Sequence, residues 1–400
     1  LRGDGPQTTI KEGAMKCRAA VIQGVGRDWE IREIDLDPPH AGEVLVRMAV
    51  AGVCHSDDHL FTGDVVPTPE AVAASGQPAP DWFPLLGGHE GAGVVEEVGP
   101  GVTTVQPGDH VALSFIPACG SCRFCVNGQS YICDVGASLF VREMPTDGTC
   151  RRHLGDENLL AYGQLGTFAE YAVLSERSVI KIDDAIPFHA ASLVSCGVST
   201  GWGSATVSAG TEPGDTVVVI GAGGVGMNAL QGARAVGAKY VVAVDPVDSK
   251  RDSAKIFGAT HTAASAEEAI PLVKEITAGL MADRVVVCPG VVHVDLIPLA
   301  LTLLRKGGIC VLTGITPFTE PPVPLVLQEM TLSAKQLRGA LYGGMNPRTS
   351  VPMLLSLYQA GAVKLDELVT RHYQLDEINE AFVDLREGRN IRGIIDFARF

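Results

Sequence analysis

Short apolar or alternating runs dominate the first half of the chain. Residues 43–49, 93–98 and 110–114 are strand-length hydrophobic patterns, separated by Pro38-Pro39, Gly99-Pro100-Gly101 and Pro107-Gly108-Asp109. Proline and glycine at those points break helix and reverse the chain, so the pattern predicts a β-rich domain. From about Thr216 apolar runs alternate with helical spacing, which predicts βαβ units and a parallel sheet. Beyond about Leu341, helical patterns at 351–360 and 375–387 lead to a strand at 391–397, expected to rejoin the first domain. The overall expectation is α/β: a flexible extension at 1–14, a β-rich domain at 15–197, a parallel-sheet domain at 198–340, and a return to the first domain at 341–400.

Three segments break the rhythm. Residues 65–84, rich in Pro and Ala, and 136–163, of mixed character, predict surface loops. Residues 186–211 contain no Asp, Glu, Lys or Arg. Their many Ser, Gly and Thr residues make them too polar for a membrane span, so they predict a small-residue buried helix.

Composition narrows the function. With 400 residues and 46% hydrophobic content, the chain can bury a large core across two or three domains. A formal net charge of -15 repels a phosphate backbone, and no basic run interrupts it, so nucleic acid is excluded as a partner. Residues 1–14 lack the apolar core of a secretory signal. Ten cysteines suit a reducing compartment in which thiols remain available as metal ligands, which points to the cytoplasm.

Four of them, Cys119, Cys122, Cys125 and Cys133, follow C-x2-C-x2-C-x7-C. That spacing lets the loop at 115–135 surround a tetrahedral metal with four thiolates, and such a closed shell leaves no place for substrate. The expected ion is a structural zinc. A disulfide knot or a chance cluster of buried cysteines is the competing account.

Thr216-Val-Val-Val-Ile220 reads as a buried strand, followed by Gly221-Ala-Gly223-Gly224-Val225-Gly226 and a helical pattern. A glycine-rich turn in that order suits a dinucleotide pyrophosphate at a helix N-terminus. A second strand ends at Asp245, placed to accept from the adenosine ribose hydroxyls and to favour NAD over NADP. Lys250 is a further candidate for the ribose, although an exposed lysine is more often simply solvated. Cys54, His89 and Cys196 lie too far apart for spacing to join them. On pattern alone, Cys196 reads as a small buried residue and His89 as a hydrogen-bonded turn histidine.

The chain resembles the zinc-dependent alcohol dehydrogenases of the medium-chain dehydrogenase/reductase superfamily. The likeness rests on Cys54-His-Ser-Asp-Asp-His59, Gly88-His-Glu90, the cysteine lobe, the run from Ser195 to Ser204, the glycine fingerprint and Ile391-Arg-Gly-Ile-Ile395, all in the family's order. It implies a GroES-like catalytic domain and a Rossmann NAD-binding domain, two zinc ions, NAD(H), a small alcohol or aldehyde substrate and a homo-oligomer without membrane attachment. It also implies that Cys54, His89 and Cys196 hold a catalytic zinc. Ser56 and His59 would relay the alcohol proton, Asp57 would orient His89, and Glu90 would lie beside the metal. Thr200 would meet the nicotinamide and Arg392 the pyrophosphate. His55 stands where the family often has arginine, which leaves its phosphate contact open.

The segments Ser114-Phe-Ile-Pro-Ala-Cys119, Gly221-Ala-Gly-Gly-Val-Gly-Met-Asn228, Asn346-Pro-Arg348 and residues 364–369 are similar to the bacterial nicotinoprotein alcohol dehydrogenases, assayed with a nitroso-dimethylaniline dye. Retention of NAD(H) between turnovers is implied by that likeness alone. A thiol-dependent formaldehyde dehydrogenase is the enzymatic alternative, and a catalytically silent structural relative is the alternative of another class.

Overall fold

The computed structural model describes residues 13–76, 81–136 and 140–397. Most of the expected N-terminal extension lies outside the described residues. The first half forms two mixed sheets. In one, the strands Val179–Lys181, His110–Leu113, Gly91–Val98, Glu43–Val53, Arg392–Asp396 and Val369–Tyr373 lie side by side, with Tyr171–Ser175 also pairing with Glu43–Val53. The long strand Glu43–Val53 is the axis of this sheet, buried at every position except Arg47. It delivers Cys54 to the start of helix His55–Thr62.

The C-terminal strand Arg392–Asp396 runs antiparallel to Glu43–Val53, pairing Gly393 with Val53 and Asp396 with Val50. Helix Ile378–Arg386 docks beside it. There Phe382 stacks on Trp29 at 5.5 Å between ring centroids, while Asn379 Nδ2 donates to the Trp29 carbonyl at 2.9 Å. These contacts place Arg392 against residues more than 300 positions earlier.

The second half is a six-stranded parallel sheet in the order His261–Ala263, Tyr240–Val244, Thr216–Ile220, Ala282–Val287, Leu304–Leu312, Gln336–Gly339. Numbered along the chain that order is 3-2-1-4-5-6, with its topological switch between the first and fourth strands. Thr216–Ile220 is buried throughout, as a β-branched run at the centre of a parallel sheet must be. A ligand crevice forms where neighbouring connections leave the switch in opposite directions.

Three expectations need correction. Residues 186–211 are not one helix. Helix Phe188–Val194 ends at Ser195, Cys196 adopts φ −144° and ψ −75°, and a new helix, Gly197–Gly203, begins and then passes into one π-helical turn. A boundary at residue 197 therefore falls at the start of that helix. The segment 136–163 is not a surface loop, because it contributes Phe140–Val141, Arg152–Leu154, Glu157–Asn158 and Leu160–Tyr162 to the second sheet. Two of its arginines, Arg151 and Arg152, are interior: the side chains of Arg151 and Glu43 are both 0% exposed, with Arg151 Nε donating to Glu43 at 2.7 Å. The segment 65–84 contains helix Pro69–Ser75, capped by the Thr68 hydroxyl; residues 77–80 lie outside the described residues. Sequence polarity misled in the second case because a buried ion pair reads like a solvated one.

Candidate active site

Two thiols are set at helix starts. Cys54 ends the Glu43–Val53 strand and occupies the N-cap of helix His55–Thr62; Cys196 occupies the N-cap of Gly197–Gly203. Neither side chain caps its helix, so both sulfurs remain available. His89 follows Gly88, whose φ of +91° turns the chain inward. One ligand atom each from Cys54, His89, Cys196 and Glu90 lies within 4.8 Å of all the others, and all four residues are buried.

The donor set fits a metal. His89 Nε2 is buried without a hydrogen-bond partner among the described residues, while Nδ1 faces the Asp57 carboxylate at 2.9 Å. Asp57 also accepts from the Gly88 N–H at 2.8 Å, so one carboxylate fixes both the ring and its turn. The neighbouring Cys196 thiol, and the His89 imidazole after it, pull the Cys54 thiol well below its ordinary value. Burial lifts the Glu90 carboxyl to about 7 although Arg392 opposes it.

A cleft of about 890 Å³ runs from these residues into the parallel sheet. Cys54, Ser56, His59, Cys196 and Thr200 line one end, and Gly221, Gly223, Gly224, Val225, Asp245 and Lys250 the other. The glycines divide their work. A Cβ at Gly226 would lie 1.8 Å from the Gly221 carbonyl oxygen, so that position serves helix-to-strand packing. A Cβ at Gly223 would meet nothing within 4 Å, which leaves an open cradle over the N-terminus of helix Gly224–Ala235. Asp245 stands at the adjacent strand end, where it accepts from Ala222 N at 2.8 Å and Val247 N at 2.9 Å. Its carboxylate thus also pins the glycine turn to the second strand.

The cysteine lobe is separate. Its four sulfurs also lie within 4.8 Å of one another, and each of three accepts a backbone N–H: Cys119 from Cys122 at 3.3 Å, Cys122 from Cys125 at 3.4 Å, Cys133 from Cys119 at 3.4 Å. Against the burial that raises it, N–H groups of Ser121 and Cys122 take Cys119 down to about 6. All ten cysteines are unpaired, which removes the disulfide knot.

Residues 40–184 match the family model for the alcohol dehydrogenase GroES-like domain, and 224–360 that for zinc-binding dehydrogenases. An NDMA-dependent alcohol dehydrogenase from Amycolatopsis methanolica is 49% identical over 95% of this chain and 99% of its own. The chain belongs to the zinc-binding alcohol dehydrogenases. Within that family, alcohol dehydrogenase B of Mycobacterium tuberculosis is 45% identical over 96% of this chain and 99% of its own. S-(hydroxymethyl)glutathione dehydrogenase of Komagataella pastoris is 35% identical over 95% of this chain and 97% of its own. Among solved structures, benzyl alcohol dehydrogenase from Acinetobacter calcoaceticus superposes with a TM-score of 0.84 at 29% identity, over 96% of this chain and 99% of that one.

Sequence reasoning about this alcohol dehydrogenase missed several contacts. Arg392 is ion-paired with Glu90, whose other oxygen accepts from Gly197 N at 3.2 Å. The arginine also lies across Gly224, where a Cβ would come within 2.2 Å of its Cδ. It therefore joins the metal end of the cleft to the glycine turn. His55 reaches over to the parallel-sheet domain, its ring against Gly290, and burial pushes its imidazole down to about 4. His59 is 2% exposed and its Nδ1 is 2.8 Å from Asp64 Oδ2. A signal for Asp64 existed: Gly63, with φ +82°, ends the helix and folds the next residue back toward it.

Proposed function

We propose that this chain oxidises alcohols to aldehydes, and the reverse, at a zinc held by Cys54, His89 and Cys196, with NAD(H) retained in the cleft between turnovers. The observation that carries the reading is the convergence of three sequence-distant ligands at one end of a cleft whose other end is the glycine turn. When bound, zinc supplies Lewis acidity toward the substrate oxygen and NAD a hydride acceptor.

The chain's own residues do the rest. Ser56, with Oγ 3.7 Å from Cys54 Sγ, takes the hydroxyl proton, and His59 receives it further along the same helix. Thr200, at 3.9 Å from Cys196 Sγ, forms the wall for the nicotinamide. Arg392 and His55 face the pyrophosphate, while Asp245 and Lys250 hold the ribose, Asp245 discouraging a 2′-phosphate. Asp57 keeps His89 Nε2 aimed at the metal. Glu90 balances Arg392 beside it.

Denaturing the purified protein and measuring released NAD(H) per chain tests retention, with activity measured with and without added NAD. Stoichiometric release with little stimulation is the expected result; an empty protein that needs NAD would point to an ordinary dehydrogenase. The likeness to the Komagataella pastoris protein favours a second reading, oxidation of a hydroxymethyl thiol adduct. Strict dependence of formaldehyde turnover on a low-molecular-weight thiol would select it.

The lobe braces the loop that follows Phe115, a residue of the cleft wall. Cys122→Ser is expected to release the lobe's zinc and lower thermal stability first, with activity per folded chain largely kept. Zinc content, melting temperature and specific activity read together check this, and an intact fold with the other zinc in place but no activity would contradict it. A homo-oligomer is part of the proposal. The edge strand Gln336–Gly339 follows helix Leu327–Ser333, where Leu327 and Leu332 are 71% and 75% exposed. The described residues contain no helix long and apolar enough to cross a membrane, and a cytoplasmic enzyme fits the ten unpaired thiols.

A further inference from the structure

His59 is too enclosed to exchange a proton with bulk water unaided: it is 2% exposed. Its ring lines the cleft, and Nδ1 is already committed, 2.8 Å from Asp64 Oδ2. The remaining nitrogen, Nε2, is thus the one free to take a proton from the cleft. Asp64 in turn is held from two sides. The Thr62 hydroxyl donates to the same Oδ2 at 2.6 Å, and Phe318 N, from the parallel-sheet domain, donates to the Asp64 carbonyl at 3.1 Å. The Asp64 side chain is 16% exposed, so it reaches solvent where His59 does not.

We infer that Asp64 is a positioning residue of the proton relay, fixing His59 through Nδ1 and giving the proton its exit to water. The inference rests on the alcohol dehydrogenase reading above. As the alcohol O–H bond breaks, the proton reaches His59 and an Nε2–H bond forms. The Nδ1 proton then passes to the Asp64 carboxylate and from it to a solvent water, leaving a neutral ring with its proton on Nε2. Other charges surround the pair. His55 and Asp58 lie on the same helix, Asp58 is paired with Arg386 at 2.7 Å, and Lys250, His293 and Glu387 line the same cleft. Of these, Asp64 is the carboxylate in direct contact with the ring.

The test compares wild type, Asp64→Asn, Asp64→Glu, His59→Gln and the Asp64→Asn/His59→Gln double variant in alcohol oxidation. Asparagine keeps an acceptor for Nδ1–H but cannot carry the proton on to water, so kcat should fall about tenfold with KM within about twofold. Asp64→Glu should restore most of kcat, and the double variant should match His59→Gln. An Asp64→Asn enzyme with the wild-type kcat, or a double variant well below His59→Gln, would overturn the inference. Circular dichroism and bound NAD(H) monitor folding; should Asp64→Asn not fold, Thr62→Val must lower kcat with KM kept or the inference fails. A wild type that turns over no alcohol would sink the underlying reading, whereas an active wild type with an indifferent Asp64 would sink this inference alone.

Discussion

Cys196→Ser is expected to leave a folded chain that has lost one of two zinc ions and about 10³-fold or more in kcat/KM with an alcohol. Metal polarisation of the substrate oxygen contributes several kcal/mol to such a reaction, and each 1.36 kcal/mol is about tenfold in rate. Serine preserves the volume of the site to within one atom but offers a hydroxyl in place of a thiolate. The backbone of Cys196 sets both the ligand direction and the start of helix Gly197–Gly203, so the substitution tests the ligand without removing the turn. His89→Ala should act through the same loss, because Nε2 has no other partner among the described residues. Elemental analysis of zinc alongside steady-state kinetics checks the result. Retention of both ions with unimpaired turnover would assign the metal elsewhere.

Arg151→Met is expected to destabilise the first domain by about 3–5 kcal/mol, the range for leaving a buried charge without its partner. The Glu43 carboxylate takes Arg151 Nε at 2.7 Å and Nη2 at 2.9 Å, and also the His40 N–H at 2.8 Å. Without Arg151 that charge stays inside the protein at the head of the strand that ends at Cys54. Pairing the change with Glu43→Leu should recover much of the loss, since an apolar pair of similar volume removes the stranded charge. Urea midpoints of the two variants, followed by fluorescence, distinguish the outcomes. A single variant as stable as wild type would mean that the Glu43 carboxylate is held by its hydrogen bonds from His40 N and Thr146 Oγ1 and needs no buried cation.

The sequence revealed the parts whose cause is local. Thr216–Ile220, the glycine turn and Tyr240–Val244 could be read because a buried β-branched run, a turn and a second run follow one another within thirty residues. The cysteine lobe was legible for the same reason. Cys54, His89 and Cys196 were joined by family likeness alone, since their proximity comes from strand pairing and a broken helix, neither of which spacing reports. The helix break at Ser195-Cys196 was hidden by a charge-free run that reads as continuous. Arg151, Glu90 and Arg392 were hidden by chemistry, because a charge that is buried and paired looks in sequence like one on the surface. Asp64 was within reach, five residues beyond His59, but its contact depends on the left-handed Gly63.

The central claim is that two zinc ions do different work, one in a closed thiolate lobe and one open to the cleft. Anomalous diffraction at the zinc edge, from crystals of the purified chain, tests it most directly. Two peaks per chain are predicted, one among Cys119, Cys122, Cys125 and Cys133, the other among Cys54, His89 and Cys196 on the cleft wall. A lobe peak alone, with density at the second position absent in fully active protein, would contradict the account.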